Sequence, residues 1–197
     1  DTTRISPGMG KTTCAFFRPG SSEIMFASTH LDPKSLQYQK EELDFRASGK
    51  ERRYAWDYDP SMDIFSYDEK TGATKQLTTA RGYDAEAGFS PDGQWIAFSS
   101  MRDAYNRTLS AAEQKQLETD PSYFAEAYIM KADGSGQKRL TEWPGYDGGT
   151  FFTKDGRIVW RHFEENGFIA NVYTMKPDGT DRKQITDFGS MSWAPYE

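Results

Sequence analysis

The chain has 197 residues, with 30 acidic against 24 Lys and Arg side chains, a net charge of −6 and a pI near 5.1. That balance excludes a general nucleic-acid binder, which needs a basic face, and disfavours an anionic membrane surface. No run approaches the roughly 18 apolar residues of a transmembrane helix. Apolar residues make up 36% and aromatic residues 15%, and this excess of rings suits strands packed face to face. Cys14 is the only cysteine, so it makes no internal disulfide, and within AFF it reads as a small buried residue. No initiating Met, basic n-region or apolar h-region opens the chain. That fits a removed signal peptide or a piece of a longer chain.

In chain order, residues 1–6 read as the tail of a preceding unit. PGMGKTT, residues 7–13, has the look of a phosphate-binding loop but lacks its first glycine, since Ile5 stands there. A strand-like CAFF, not a helix, follows the lysine, so the nucleotide reading is rejected. Residues 12–28 give two strands around Pro19-Gly20. An excursion, 30–62, holds a helix at 35–45, a polar stretch at 48–53 and the aromatic-acidic run Tyr54, Trp56, Asp57, Tyr58. A strand resumes at 63–67. Residues 82–103 read as strand, tight turn (Ser90-Pro91-Asp92-Gly93), strand. A second insertion, 104–123, holds a short helix capped by Thr108 or Ser110, running through Leu117 and stopped by Asp120-Pro121. Residues 189–197 read as the start of a fourth unit.

Two elements recur in fixed order. GYDAEAGFSPDGQWIAF returns as GYDGGTFFTKDGRIVW 63 residues later, with a looser copy at 15–28. YIMKADGSGQKRLT returns as YTMKPDGTDRKQIT 45 residues later, with a looser copy at 65–78. Four short strands per unit of about 40–45 residues is the pattern of a β-propeller blade. The expected fold is therefore all-β, with antiparallel four-stranded blades at 12–78, 82–141 and 145–186 and insertions at 30–62 and 104–123. Three blades do not close a ring, because propellers typically have about 4–8. Further blades or another chain are expected to complete it. Trp95 and Trp160 are expected at equivalent strand positions, displaced by one in the repeat, packing between blades.

FSPDGQWIAFSS followed by YIMKADGSGQKRLT, and again YTMKPDGTDRKQIT, resembles the repeat of TolB-type propellers of bacterial envelopes. The resemblance covers about residues 12–186 outside the insertions. GKTTCAFF with the two GYD segments also resembles the propeller preceding some secreted bacterial zinc aminopeptidases. The family implies a six- or seven-bladed ring, export to the periplasm or exterior, and protein or peptide contact. The peptidase's zinc ligands have no counterpart here. HExxH, GxSxG and paired Cys and His at catalytic spacing are all absent, so no catalysis is expected within these residues.

In a propeller the first strand of each blade lines the channel, and the blade-to-blade connections form one mouth. Asp84 and Asp147 are equivalent by repeat, with Thr12 as the third member. Glu86 is expected to share a face with Asp84 in a strand of period two. Tyr83, Asp84, Glu86, Tyr146 and Asp147, with His30, Arg102 and His162, are the candidate ligand-binding residues of an acidic channel mouth. The ligand reading is a cation, a basic peptide or an N-terminal amine. The competing reading is structural, with the aspartates pinning the blade-to-blade turns. Carboxylates suit a hard cation such as Ca²⁺, but DxDxDG spacing is missing and no cofactor is expected. Tyr54, Trp56, Asp57 and Tyr58 are candidates for an interaction surface. The functional classes that remain are an interaction module, an accessory propeller of a hydrolase and a structural envelope assembly.

Overall fold

In the computed structural model, which describes residues 2–53 and 55–195, the chain forms three four-stranded antiparallel meanders in sequence order. Blade 1 holds β1 (Thr12–Phe17), β2 (Glu23–Ser28), β3 (Asp63–Asp68) and β4 (Ala73–Gln76). Blade 2 holds β5 (Asp84–Phe89), β6 (Trp95–Ser100), β7 (Glu126–Lys131) and β8 (Lys138–Arg139). Blade 3 holds β9 (Asp147–Phe152), β10 (Ile158–Phe163), β11 (Ala170–Met175) and β12 (Lys183–Gln184). The insertion after β2 carries helix α1 (Ser35–Ala47), and the insertion after β6 carries α2 (Arg102–Asn106) and α3 (Ala111–Thr119). Ser110 caps α3 in a reciprocal capping box with Glu113. Asp120 stops α3 and caps the 3₁₀ turn Pro121–Phe124.

The repeated dipeptides have local causes. In the β5–β6 turn, Ser90 donates to Asp92, and Asp92 accepts the Gln94 amide at 3.0 Å. Thr153 and Asp155 repeat the contact in blade 3. The Leu-Thr and Ile-Thr endings tie the fourth strand of each blade to the third. Leu77, Leu140 and Ile185 donate their amides to Ile64, Ala127 and Val172 at 2.8, 2.8 and 2.7 Å. The hydroxyls of Thr78, Thr141 and Thr186 accept the amides of those same three residues, each at 2.9 Å.

Apolar faces then stack the blades. Met25, Ile64 and Leu77 of blade 1 meet Ile96, Phe98 and Met130 of blade 2. Ala97, Ile129 and Leu140 of blade 2 meet Ile158, Trp160 and Met175 of blade 3. Trp160 is fully buried here and occupies the repeat position of Phe98 and Phe26. Trp95 does not share that role. It pairs with Lys131 at the outer end of β6 and is exposed, because the Trp160 repeat position falls three residues later, at Phe98.

The same repeat leaves two faces open. Leu77 and Leu140 are 5% and 3% exposed beneath the following blade, whereas their counterpart Ile185 is 59% exposed. Phe89 and Phe152 pack against the preceding blade, while their counterpart Phe17 is 66% exposed. Beyond blade 3, the Ser192 amide donates to Ala170 O at 2.8 Å. Asp84 and Asp147 make the same contact to Met62 and Ala125 at 2.9 and 2.8 Å. Residues 191–195 thus follow the path that opens β5 and β9.

Each inner strand is bulged at its third residue. The register shifts between Thr13 and Phe16 in β1 and between Ala85 and Gly88 in β5. Cys14, Glu86, Gly149 and Ala194 occupy this position with φ of 53°, 52°, 64° and 46°. A non-glycine residue in this region costs about 1–2 kcal/mol, so the bulge sets the inner strand at the expense of local strain. It also breaks the period of two. Glu86 therefore does not share a face with Asp84. Asp84 turns into its own blade, while Glu86 reaches to the inner strand of the neighbouring blade 3.

Candidate functional site

Asp84 and Asp147 are 0% exposed and do not form an open acidic mouth. Each is held by the strand beside it. Ser100 donates to Asp84 Oδ1, and Arg102 Nη2 donates to Oδ2 at 2.7 Å. Trp160 Nε1 donates to Asp147 Oδ1 at 3.0 Å, and His162 Nδ1 lies 2.8 Å from the same oxygen. In blade 1, Thr12 takes the acid's place and bonds Ser28, which also contacts His30 Nδ1 at 3.0 Å. By pairing register, His162 stands opposite Asp147 as Ser100 stands opposite Asp84. The residue aligned with Arg102 is thus Glu164, and Asp147 Oδ2 has no hydrogen-bond partner among the described residues. His30, Arg102 and His162 serve these strand pins.

A second acid faces each pin from the preceding blade. Asp63 accepts from Thr78 Oγ1 at 2.9 Å and Gln76 Nε2 at 3.0 Å. Burial pushes its carboxyl up to about 7, against those hydrogen bonds and with the Asp84 charge adding to the rise. Burial and the Asp147 charge push Glu126 up in the same way, opposed by Thr141 and Arg139. A carboxyl raised on folding stabilises the folded state fully below its unfolded value of about 4, and that stability is lost as pH climbs to about 7. Asp63→Asn is therefore expected to remove part of the fall in urea midpoint over that window. An unchanged pH profile would refute the assignment.

The bulge residue of blade 2 is bonded to the bulge of blade 3. Burial raises the pKa of the Cys14 thiol, and the nearby Glu86 charge adds to the rise. Glu86 Oε2 accepts the Gly149 amide at 2.6 Å and the Tyr146 hydroxyl. Arg161 Nη2 lies 3.2 Å from Tyr146 Oη and 3.8 Å from Glu86 Oε2. Its guanidinium also stacks 4.1 Å above the Trp193 ring. Tyr58, Tyr83 and Tyr146 close around this carboxylate, with Tyr58 edge-on to Tyr83 at 5.3 Å. Burial and the Glu86 charge hold all three phenols protonated, well above the ordinary tyrosine range.

Outside this aromatic plug lies a cleft of about 970 Å³ between α1, the inner end of blade 1 and the segment at 55–58. Trp56, Asp57 and Tyr58 line it; Tyr54 lies outside the described residues. Trp56 Nε1 donates to Tyr83 Oη at 2.9 Å, which fixes the exposed indole as a platform. Lys11 is pinned on the blade side by Asp57 at 2.5 Å and Asp59 at 2.9 Å. A smaller cavity of about 210 Å³, lined by Lys11, Trp56 and Tyr83 among others, adjoins it. Lys11 was not read from the sequence as a site residue. Its signal is the repeat itself, since Lys11 stands where Tyr83 and Tyr146 stand in the GYD segments. Arg161 was also missed, because Ser99 and Ala27 at its repeat position give no hint of charge. Among the described residues, no group of three or more His, Cys, Asp and Glu side chains is placed to hold a metal ion. No described helix is long and apolar enough to cross a membrane.

Strand order, bulged inner strands and stacked blades define β-propeller blades, a fold this chain shares with TolB. TolB from Acinetobacter baumannii superposes with a TM-score of 0.58 over 92% of this chain and 34% of that one, at 18% identity. The β-propeller domain of the Trilobed protease from Pyrococcus furiosus gives 0.51 over 92% of this chain and 45% of that one, at 12% identity. By sequence, 94 residues, 47% of this chain, are 36% identical to dipeptidyl-peptidase 5 of Porphyromonas endodontalis. That stretch is 12% of the relative's length. No family profile matches the chain.

Proposed function

We propose that this propeller is a non-catalytic interaction module that binds peptide or protein segments at its insertion-bearing mouth, in the periplasm or outside the cell. The cleft beside Trp56 carries the reading. It is concave and of ligand size, it has a fixed aromatic platform, and polar groups of both signs line it. Likeness to TolB and to a protease propeller domain supports the propeller class, and the exported location rests on the resemblance of the repeats to those of TolB-type envelope propellers. The uncovered Phe17 and Ile185 faces support completion of the ring by further blades, in cis or from another chain.

Trp56→Ala is expected to weaken binding to a panel of labelled extended peptides by about tenfold, the effect of losing a central aromatic anchor. Fluorescence anisotropy reads the change, and circular dichroism checks the fold. A panel that binds nowhere, or that ignores Trp56→Ala, would sink the reading.

A second reading is an accessory propeller of a peptidase, favoured by the matched segment of dipeptidyl-peptidase 5. Hydrolysis of dipeptidyl chromogenic substrates by the native full-length polypeptide separates the two.

A further inference from the structure

Helix α1 spans a void instead of covering a core. Among its described residues only Ser35 is buried, and Leu36, Tyr38 and Leu43 are all exposed. Residues 35, 38, 39, 42 and 46 recur at three- and four-residue steps and line the cleft. The contacts to the blade are sparse. Gln39 Oε1 accepts the Gly10 amide at 3.3 Å, and Lys11 Nζ sits 5.9 Å from the Tyr38 ring centre. A 13-residue helix is marginal in water on its own, so a segment lying in the cleft would supply the packing that α1 lacks.

The two ends of the cleft differ in sign. At the blade end, Lys11 is matched by Asp57 and Asp59. At the far end, Arg46 and Arg52 share a single carboxylate, Glu42, and Arg53 has no ion-pair partner among the described residues. Glu41 lies on the same wall, where it accepts from the Gln37 amide, and leaves one positive charge in excess there. The Trp56 platform lines the same cleft and adjoins its blade end beside Lys11 and Tyr83. Arg52 stacks 4.6 Å over the Phe45 ring, and guanidinium groups with N–H donors to spare are suited to a carboxylate.

We propose that the cleft takes an acidic peptide segment, with an Asp or Glu carboxylate against Arg52 and Arg53 and an apolar or aromatic side chain of the same segment on Trp56. The proposal rests on the interaction-module reading above and names the chemistry of its partner.

The test uses the native protein and three labelled peptides of one length, each with a central Phe. One carries Asp and Glu beside the Phe, one Lys, and one only neutral polar residues. The acidic peptide is expected to bind about tenfold more tightly than the lysine peptide, with the difference shrinking at high salt. Arg53→Glu, an exposed change that leaves the fold intact, is expected to abolish that preference without weakening the lysine peptide. Equal binding of the three peptides, or a preference that survives Arg53→Glu, overturns the acidic-segment proposal and leaves peptide binding standing. No binding by any of the three overturns both.

Discussion

Arg102→Ala is expected to destabilise the protein by about 3–5 kcal/mol, the cost of leaving a buried charge without its partner. The guanidinium gives Asp84 its 2.7 Å hydrogen bond and also bonds Ser100 at 2.9 Å. It stacks on Phe98 and Tyr128, 5.3 and 5.0 Å from their ring centres. Asp84 is 0% exposed, so water cannot replace what is removed. Burial already lifts its carboxyl to about 6, with Arg102 holding it down. Without Arg102 the carboxyl rises further, and the stability it carries is lost across a wider window as pH climbs. The deficit of the variant should therefore be larger near pH 8 than near pH 5, as read from urea midpoints. Adding Asp84→Asn should recover part of it by removing the charge. A loss below about 1 kcal/mol, typical of an exposed pair, would show that the pin carries little.

Gly145→Ala is expected to cost of order 3 kcal/mol, combining backbone strain with overpacking. The residue has φ of +113°, and an added Cβ would fall 2.0 Å from the Phe163 carbonyl oxygen. Gly82 sits at the same repeat position with φ of +137°, where a Cβ would fall 2.5 Å from Arg102 Cα. Gly10 is the third member, crowded by Thr29. These glycines let the blade-to-blade connection press against the chain leaving the second strand. Gly156→Ala is the control, since its φ is also positive but nothing lies near its missing Cβ. It should cost only about 1 kcal/mol. Equal losses for the two variants would refute the close-approach argument. The same geometry assigns Gly10 of PGMGKTT to a blade connection.

Blade count, strand order, turns and both long insertions were legible because each is local or repeats. Period-two runs, Asp-Gly turns and Leu-Thr endings act within a few residues, and recurrence in register identifies them as one unit. Helix α3 was legible for the same reason, since Ser110 and Glu113 form its cap. The candidate site was legible only in part. Trp56, Asp57 and Tyr58 stand out by composition, and the structure brings them together at one cleft. Of the two readings of the GYD aspartates, the structural one fits their buried hydrogen bonds, while one extra residue in β5 sends Glu86 to blade 3 and not to the face of Asp84.

What the sequence determined by itself is the repeating blade and the order of its strands, since turn chemistry and side-chain alternation are properties of neighbouring residues. Only the tertiary structure decided which carboxylates are buried pins, which bulge residue bonds the neighbouring blade and how Arg46, Arg52 and Arg53 come to line one cleft with Trp56. Those outcomes depend on packing between segments distant in the chain, where the desolvation of a charge and the presence of a partner are fixed together.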